Sequence, residues 1–227
     1  MSERTETVLS ERLRDERGKR VAFVSHCLLN ENTRYLGGAF HSGAVPEITE
    51  LQRLGIGIHQ MRCPEREAWG GTVKRLMLPV YGSKGTAIYR LRGPLLRAFV
   101  LYTRLRYWRL ARAVVRDIQE YERSGVRVVA VVGVGASPSC GVTTTLDLRR
   151  SFEVIASCPV AELDRDTFNR RAIVDCRTAG EGLFLRTLAL QLARRRLSIP
   201  FAEYDLVAEM RGAPQAGMQD LMRSGAA

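Results

Sequence analysis

The chain has 227 residues, 45% of them hydrophobic and 26% charged. That balance suits a soluble chain with a buried core and excludes disordered, collagen-like and coiled-coil classes. Lys and Arg outnumber Asp and Glu by 35 to 24, a net charge of +11, and the excess has an address. From Ala68 to Arg116 there is no acidic residue, but there are two Lys and nine Arg, as many charges as the whole net balance. A stripe of this kind implies an anionic partner more than general solubility.

Residues 1–19 read as a charged leader without the apolar stretch of a secretory signal, so the cytoplasm is the expected location. Arg20 to Ser25 reads as a buried strand, and Cys27 to Gly43 as a loop. Val45 to Leu54 has helical spacing, and Ile56 to Met61 is a second short strand. Pro94 opens a long helix to about Arg123, with Leu96, Val100, Tyr107, Leu110, Val114 and Ile118 on one stripe and Arg97, Arg104, Arg109, Arg112 and Arg116 opposite. Its greasiest run, Leu95 to Leu101, is broken by Arg97, so no membrane-spanning helix is expected. Val126 to Val134 is the most strand-like stretch, left through a glycine-rich turn, Gly133 to Gly141. A polar connection, a short strand Ala172 to Val174, a helix Glu181 to Leu197 and a strand Phe201 to Leu206 follow, and Gly212 onward reads as a loose tail.

Strands alternating with helices predict an α/β fold, a mainly parallel, Rossmann-like sheet flanked by helices. The expected organisation is a single domain over residues 20–206. It carries a basic helical insertion at about 68–123 and ends in a tail, 207–227.

Five cysteines, Cys27, Cys63, Cys140, Cys158 and Cys176, lack the even number and close spacing of a disulfide framework, and there is no CxxC. Three of them share a context. Cys27 and Cys63 each fall just past a predicted strand, and Cys140 lies in the turn leaving the third. In a parallel sheet the carboxyl ends of the strands lie along one edge, so residues 36 and 77 positions apart can converge there. Cys63 is followed by Pro64-Glu65, which brings a carboxylate beside the thiol, and Cys140 sits among Ser137, Ser139 and turn N–H groups. Three thiolates without a fourth partner suit an iron–sulfur cluster with one open iron. Zinc held by Cys₃His, with His26, His41 or His59, is the competitor. Cys176, just past the expected strand Ala172 to Val174, is the candidate fourth ligand.

The segments Ser25-His-Cys-Leu-Leu-Asn-Glu-Asn-Thr-Arg-Tyr-Leu-Gly-Gly38, Gln60-Met-Arg-Cys-Pro-Glu65 and Gly135-Ala-Ser-Pro-Ser-Cys-Gly-Val142 together resemble the thiouracil desulfidase-related family. The resemblance runs over roughly residues 20–206, and segment 68–116 looks like an insertion relative to the family's shorter members. It implies a [4Fe-4S] cluster held by Cys27, Cys63 and Cys140, with one open iron that binds the sulfur of a small thiolated substrate. Water then replaces the sulfur, and hydrogensulfide leaves. Ser137 matches a family serine implied in the proton step. Glu65 is a candidate acid/base by its closeness to Cys63. Asn30, Arg34 and Tyr35, in the loop after Cys27, are candidate substrate binders.

Two other classes compete. The basic segment 84–116, where arginines interleave with Trp108, suits tRNA or another RNA, so a non-catalytic, metal- or cluster-stabilised nucleic-acid-binding module is one alternative. Leu101, Leu105 and Trp108 on the same face equally permit a membrane-surface or subunit contact. A cysteine-nucleophile enzyme using His26 or His59 as base is the other alternative.

Overall fold

The computed structural model describes residues 13, 15–34, 38–40, 43–72, 74–76, 83–157, 171 and 173–225. Its elements run β1 (Arg20–Val24), α1 (His26–Leu29), a 3₁₀ turn (Glu31–Thr33), α2 (Pro46–Arg53), β2 (Gly57–Gln60), α3 (Pro64–Trp69), α4 (Ala87–Arg90) and α5 (Arg92–Arg123). There follow β3 (Arg127–Val134), β4 (Thr144–Leu146), α6 (Leu148–Ser157), β5 (Arg177–Ala179), α7 (Leu183–Ala193), β6 (Phe201–Tyr204), α8 (Leu206–Met210) and α9 (Ala216–Gly225).

Four strands form a parallel sheet in the order β2-β1-β3-β6. The fold is α/β and Rossmann-like. β1 lies at the centre, and its Ala22, Phe23 and Val24 are fully buried, so the Val-Ala-Phe-Val run without alternation is that of a strand covered on both faces. The chain moves from β1 to β2 on one side and to β3 on the other. The direction of winding therefore reverses between β1 and β3, and the crevice at their carboxyl ends is where such sheets bind ligands.

Helix α5 is the main buttress. It packs on β3, α3, α6 and α7, and Tyr107, Ala111, Val115 and Ile118 on its inner face belong to the central core. Gly125, at φ 73°, ends it in the left-handed conformation that glycine adopts without strain. The Gly125 and Val126 N–H groups return to the carbonyls of Glu122 and Tyr121 at 3.1 and 2.9 Å.

Three expectations change in the last third. Ile173 to Cys176 is helical, and the strand begins at Arg177; Ala172 lies outside the described residues. This strand, β5, is exposed and polar, Arg-Thr-Ala, and pairs antiparallel with β4 in a small second sheet, so no apolar run marked it. The connection after β3 contains β4 and the helix α6. The tail expected from Gly212 onward is instead the packed helix α9, with Met218 and Leu221 in the core against β6. Among the described residues no helix is long and apolar enough to cross a membrane.

Candidate functional site

Cys27 sits on α1 directly after β1. Cys63 precedes the first residue of α3 after β2, and Cys140 lies in the turn after β3. Three neighbouring parallel strands thus deliver one cysteine each to the same edge, two of them flanking the switch point. There Cys140 is within electrostatic reach of Cys27 and Cys63, and Glu65 is within reach of all three.

Local structure aims each thiol. Pro64 opens α3 with its preset φ, and the Cys63 sulfur accepts the Arg66 N–H at 3.5 Å as the cap of that helix. The turn carrying Cys140 is held from inside by Ser137, whose Oγ accepts the N–H groups of Ser139 and Cys140 at 3.3 and 3.0 Å. The Cys140 carbonyl accepts the Val134 N–H at 2.7 Å, folding the turn back on its own strand. Gly182 lets α7 begin against this turn, because a Cβ there would land on the Ser139 carbonyl. The carboxylate of Glu203 on β6 then pins the next residues. It accepts the N–H groups of Val142 and Thr143 at 2.8 and 2.7 Å and the Thr143 hydroxyl at 2.7 Å.

Glu65 is ion-paired with Lys74, both mostly buried, and the Lys74 ammonium lies 5.6 Å from the centre of the Trp69 ring. Lys74 adopts φ 53°, a conformation a side chain disfavours, in the turn after α3. Tyr107, which the helical pattern marked only as apolar, reaches in from α5 and hydrogen-bonds the Ser139 Oγ at 2.7 Å. Burial raises its phenol well above the usual tyrosine range, and Glu65, Cys140 and Cys63 act on it in the same direction. Lys74 and Tyr107 are the site residues that the sequence did not single out.

Arg34 is buried beside Cys27. Its Nη1 contacts Glu31 at 2.7 Å and Glu209 at 2.9 Å and donates to the Gly38 carbonyl at 3.1 Å. Its Nε and Nη2 are buried without a hydrogen-bond partner among the described residues. Asn30 is exposed and turned to its own loop, where its Oδ1 accepts the Asn32 N–H at 3.2 Å and the Asn32 side-chain amide at 3.0 Å. Tyr35, His41 and Cys158 lie outside the described residues.

The imidazole of His26 hydrogen-bonds the Met61 backbone, and burial, then Arg66, pushes it below the usual histidine range. His59 stacks on Phe23 with ring centres 4.2 Å apart and stands 3.7 Å from Asp117, a packing position. Cys176 is buried among Ser151, Arg150 and Asp147 at the start of α6, away from the company the other three cysteines keep.

Burial raises all three converging thiols, Cys27 to about 12, although Arg34 acts against the rise at Cys27. A nucleophilic cysteine needs the opposite shift, so this environment runs against the cysteine-nucleophile alternative. Three protonated neighbours ionise together only around a positive centre, since a coordinating metal strips the thiol proton outright. Among the described residues no three His, Cys, Asp or Glu side chains are gathered as ligands of one metal ion. A cluster would ask for a wider spacing of its ligands than one ion, so this absence does not bear on it. Three soft thiols on one edge are the donor set that an iron–sulfur cluster would need.

No protein-family model, curated protein or solved structure matches the chain.

Proposed function

We propose that the protein is a non-redox desulfidase that replaces the sulfur of a thiocarbonyl, in a thiouracil-like base or a related thioamide, by oxygen from water. A [4Fe-4S] cluster on Cys27, Cys63 and Cys140 is its cofactor. The observation that carries this reading is the convergence of one cysteine from each of three adjacent parallel strands around a single carboxylate, Glu65. Cys27, Cys63 and Cys140 each come from one of the three motifs that resemble the thiouracil desulfidase-related family.

When bound, the cluster supplies a thiophilic Lewis acid that draws the substrate's sulfur and weakens its bond to carbon. The rest falls to the chain. Overall, thiocarbonyl and water give carbonyl and hydrogen sulfide, so one water loses both protons and the departing sulfur gains them. Glu65, within electrostatic reach of the three thiols, takes the first proton from the attacking water, and its ion pair with Lys74 holds the carboxylate. On the Cys27 side Arg34 carries Nε and Nη2, buried without a nitrogen or oxygen partner among the described residues, as donors suited to a ring oxygen or nitrogen of the substrate. Ser137 is a positioning residue for the Cys140 turn, and its hydroxyl still has a hydrogen to give. Tyr107 and Ser139, hydrogen-bonded to each other and fully buried, keep water from the apolar side of the Cys140 turn.

The test is turnover by anaerobically loaded protein on 2-thiouracil, 4-thiouracil and simple thioamides. Equal amounts of the oxo product and hydrogensulfide are expected, with Glu65→Gln lowering turnover at least about a hundredfold while iron content is kept. A loaded protein that desulfurises none of these compounds contradicts the reading.

A further inference from the structure

Helix α5 has a second apolar stripe that the core does not use. Leu101, Leu105 and Trp108, at helical spacing on the outer side, are 70%, 50% and 40% exposed. Exposed arginines border it, Arg97 and Arg104 along one flank and Arg109 and Arg116 along the other, and Arg112 continues the line of the stripe one turn past Trp108. We propose that this face docks on an anionic lipid surface, with the helix axis in the plane of the headgroups.

The inner face of the helix fixes the mode of binding. Thr103, Tyr107 and Ala111 are buried in the protein, so α5 can lie on a bilayer but not enter it lengthwise. Leucines and a tryptophan between two rows of arginines match the two layers of a membrane interface. The apolar groups reach the acyl boundary, and the guanidinium groups extend outward to lipid phosphates and carboxylates. The charge fits as well, since no carboxylate occurs between Ala68 and Arg116 to oppose an anionic surface.

Other occupants fit less of the pattern. RNA would use the arginines, but Leu101 and Leu105, the most exposed of the three apolar residues, gain nothing from phosphate. The Trp108 ring, the one aromatic available for stacking in the stripe, already carries the Arg112 guanidinium 4.8 Å from its centre. A second copy of the chain docked through the same face would set these arginines against their own counterparts, with no acid on that stretch to pair them.

The experiment is flotation of the intact protein with phosphatidylcholine vesicles containing roughly one-third phosphatidylserine, compared with pure phosphatidylcholine, at about 0.1 M salt. The protein is expected to float with the anionic vesicles only. Leu101→Gln and Leu105→Gln, and separately Arg97→Gln and Arg104→Gln, are each expected to weaken binding about fivefold per substitution. All four side chains face solvent, and circular dichroism verifies that the variants fold. Trp108 emission should shift to the blue on binding, and Trp108→Phe should remove the shift, because Trp69 is already buried. Failure to float with anionic vesicles overturns the proposal. So does flotation that ignores the leucine substitutions, tight salt-sensitive binding of single-stranded RNA in place of vesicles, or a dimer that the leucine substitutions dissolve.

Discussion

The hydrogen bond between Tyr107 and Ser139 joins the long helix to the turn that carries Cys140, and its removal has a calculable cost. Both residues are fully buried, and their oxygens stand 2.7 Å apart. The backbone groups of Ser139 are engaged elsewhere: its N–H with Ser137 Oγ at 3.3 Å, and its carbonyl with the N–H groups of Phe184 and Leu185 at 3.0 and 3.2 Å. Tyr107→Phe keeps the ring and its edge contact with Phe184, so the change isolates one hydroxyl. It leaves the Ser139 hydroxyl buried without this partner, a loss of about 1–3 kcal/mol. Ser139→Ala strands the phenol and costs about the same. The double variant removes both polar groups and should cost no more than either single one, so the cycle should show a coupling of about 1–3 kcal/mol. For a chain of this size each kcal/mol lowers the melting temperature by roughly 2–4 °C. Urea denaturation of the four proteins, followed by circular dichroism, measures the cycle. Additive losses, with the double variant near the sum of the singles, would refute the claim that this bond ties α5 to the cysteine turn.

Three further outcomes are expected. The metal-free protein should lose stability in alkali. The unfolded chain releases its thiol protons from about pH 9, while the folded chain holds the Cys27 proton to about pH 12, so stability present below that window is lost as the pH rises through it. Urea midpoints at about pH 8 and pH 10 test this, and Cys27→Ala should flatten the fall; a midpoint that rises with pH contradicts the sign. Gly182→Ala would drive a Cβ into the Ser139 carbonyl, costing about 1–3 kcal/mol and displacing Cys140, so iron retention should drop with stability. Wild-type values for both would mean the turn yields freely. Arg34→Met leaves Glu31 and Glu209 buried without the cation between them and should cost about 3–5 kcal/mol, with Arg34→Lys between the two. A urea midpoint unchanged in Arg34→Met would show that the carboxylates do not depend on it.

Much of the framework was legible because it depends on local pattern. Val-Ala-Phe-Val and Val128 to Val134 are continuous apolar runs of a strand covered on both sides, and they appear as β1 and β3. The cysteines could be assigned to one edge because position after a parallel strand fixes the edge regardless of sequence distance. What stayed hidden depends on long-range contacts. Arg34 and Glu209 are 175 residues apart, and nothing local to either announces the pair. Tyr107 fits the apolar stripe of its helix equally well whether its hydroxyl is used or not. Lys74 lies in a segment without periodicity and acts through one ion pair. The last helix carries a local signal, since Met218, Leu221 and Met222 recur at helical spacing, but the glycine before them obscures it. The strand placed at Ala172 to Val174 failed for the opposite reason, since three apolar residues in a row do not distinguish strand from helix.

The central claim is that three cysteines from three strands hold one cluster. Its most direct measurement is iron and acid-labile sulfide in protein purified without oxygen. The account predicts about four of each per chain, lost when Cys27, Cys63 or Cys140 is replaced singly by Ala and kept in Cys176→Ala. Protein that contains zinc or no metal after reconstitution, or that keeps its iron when one of the three cysteines is gone, would contradict it.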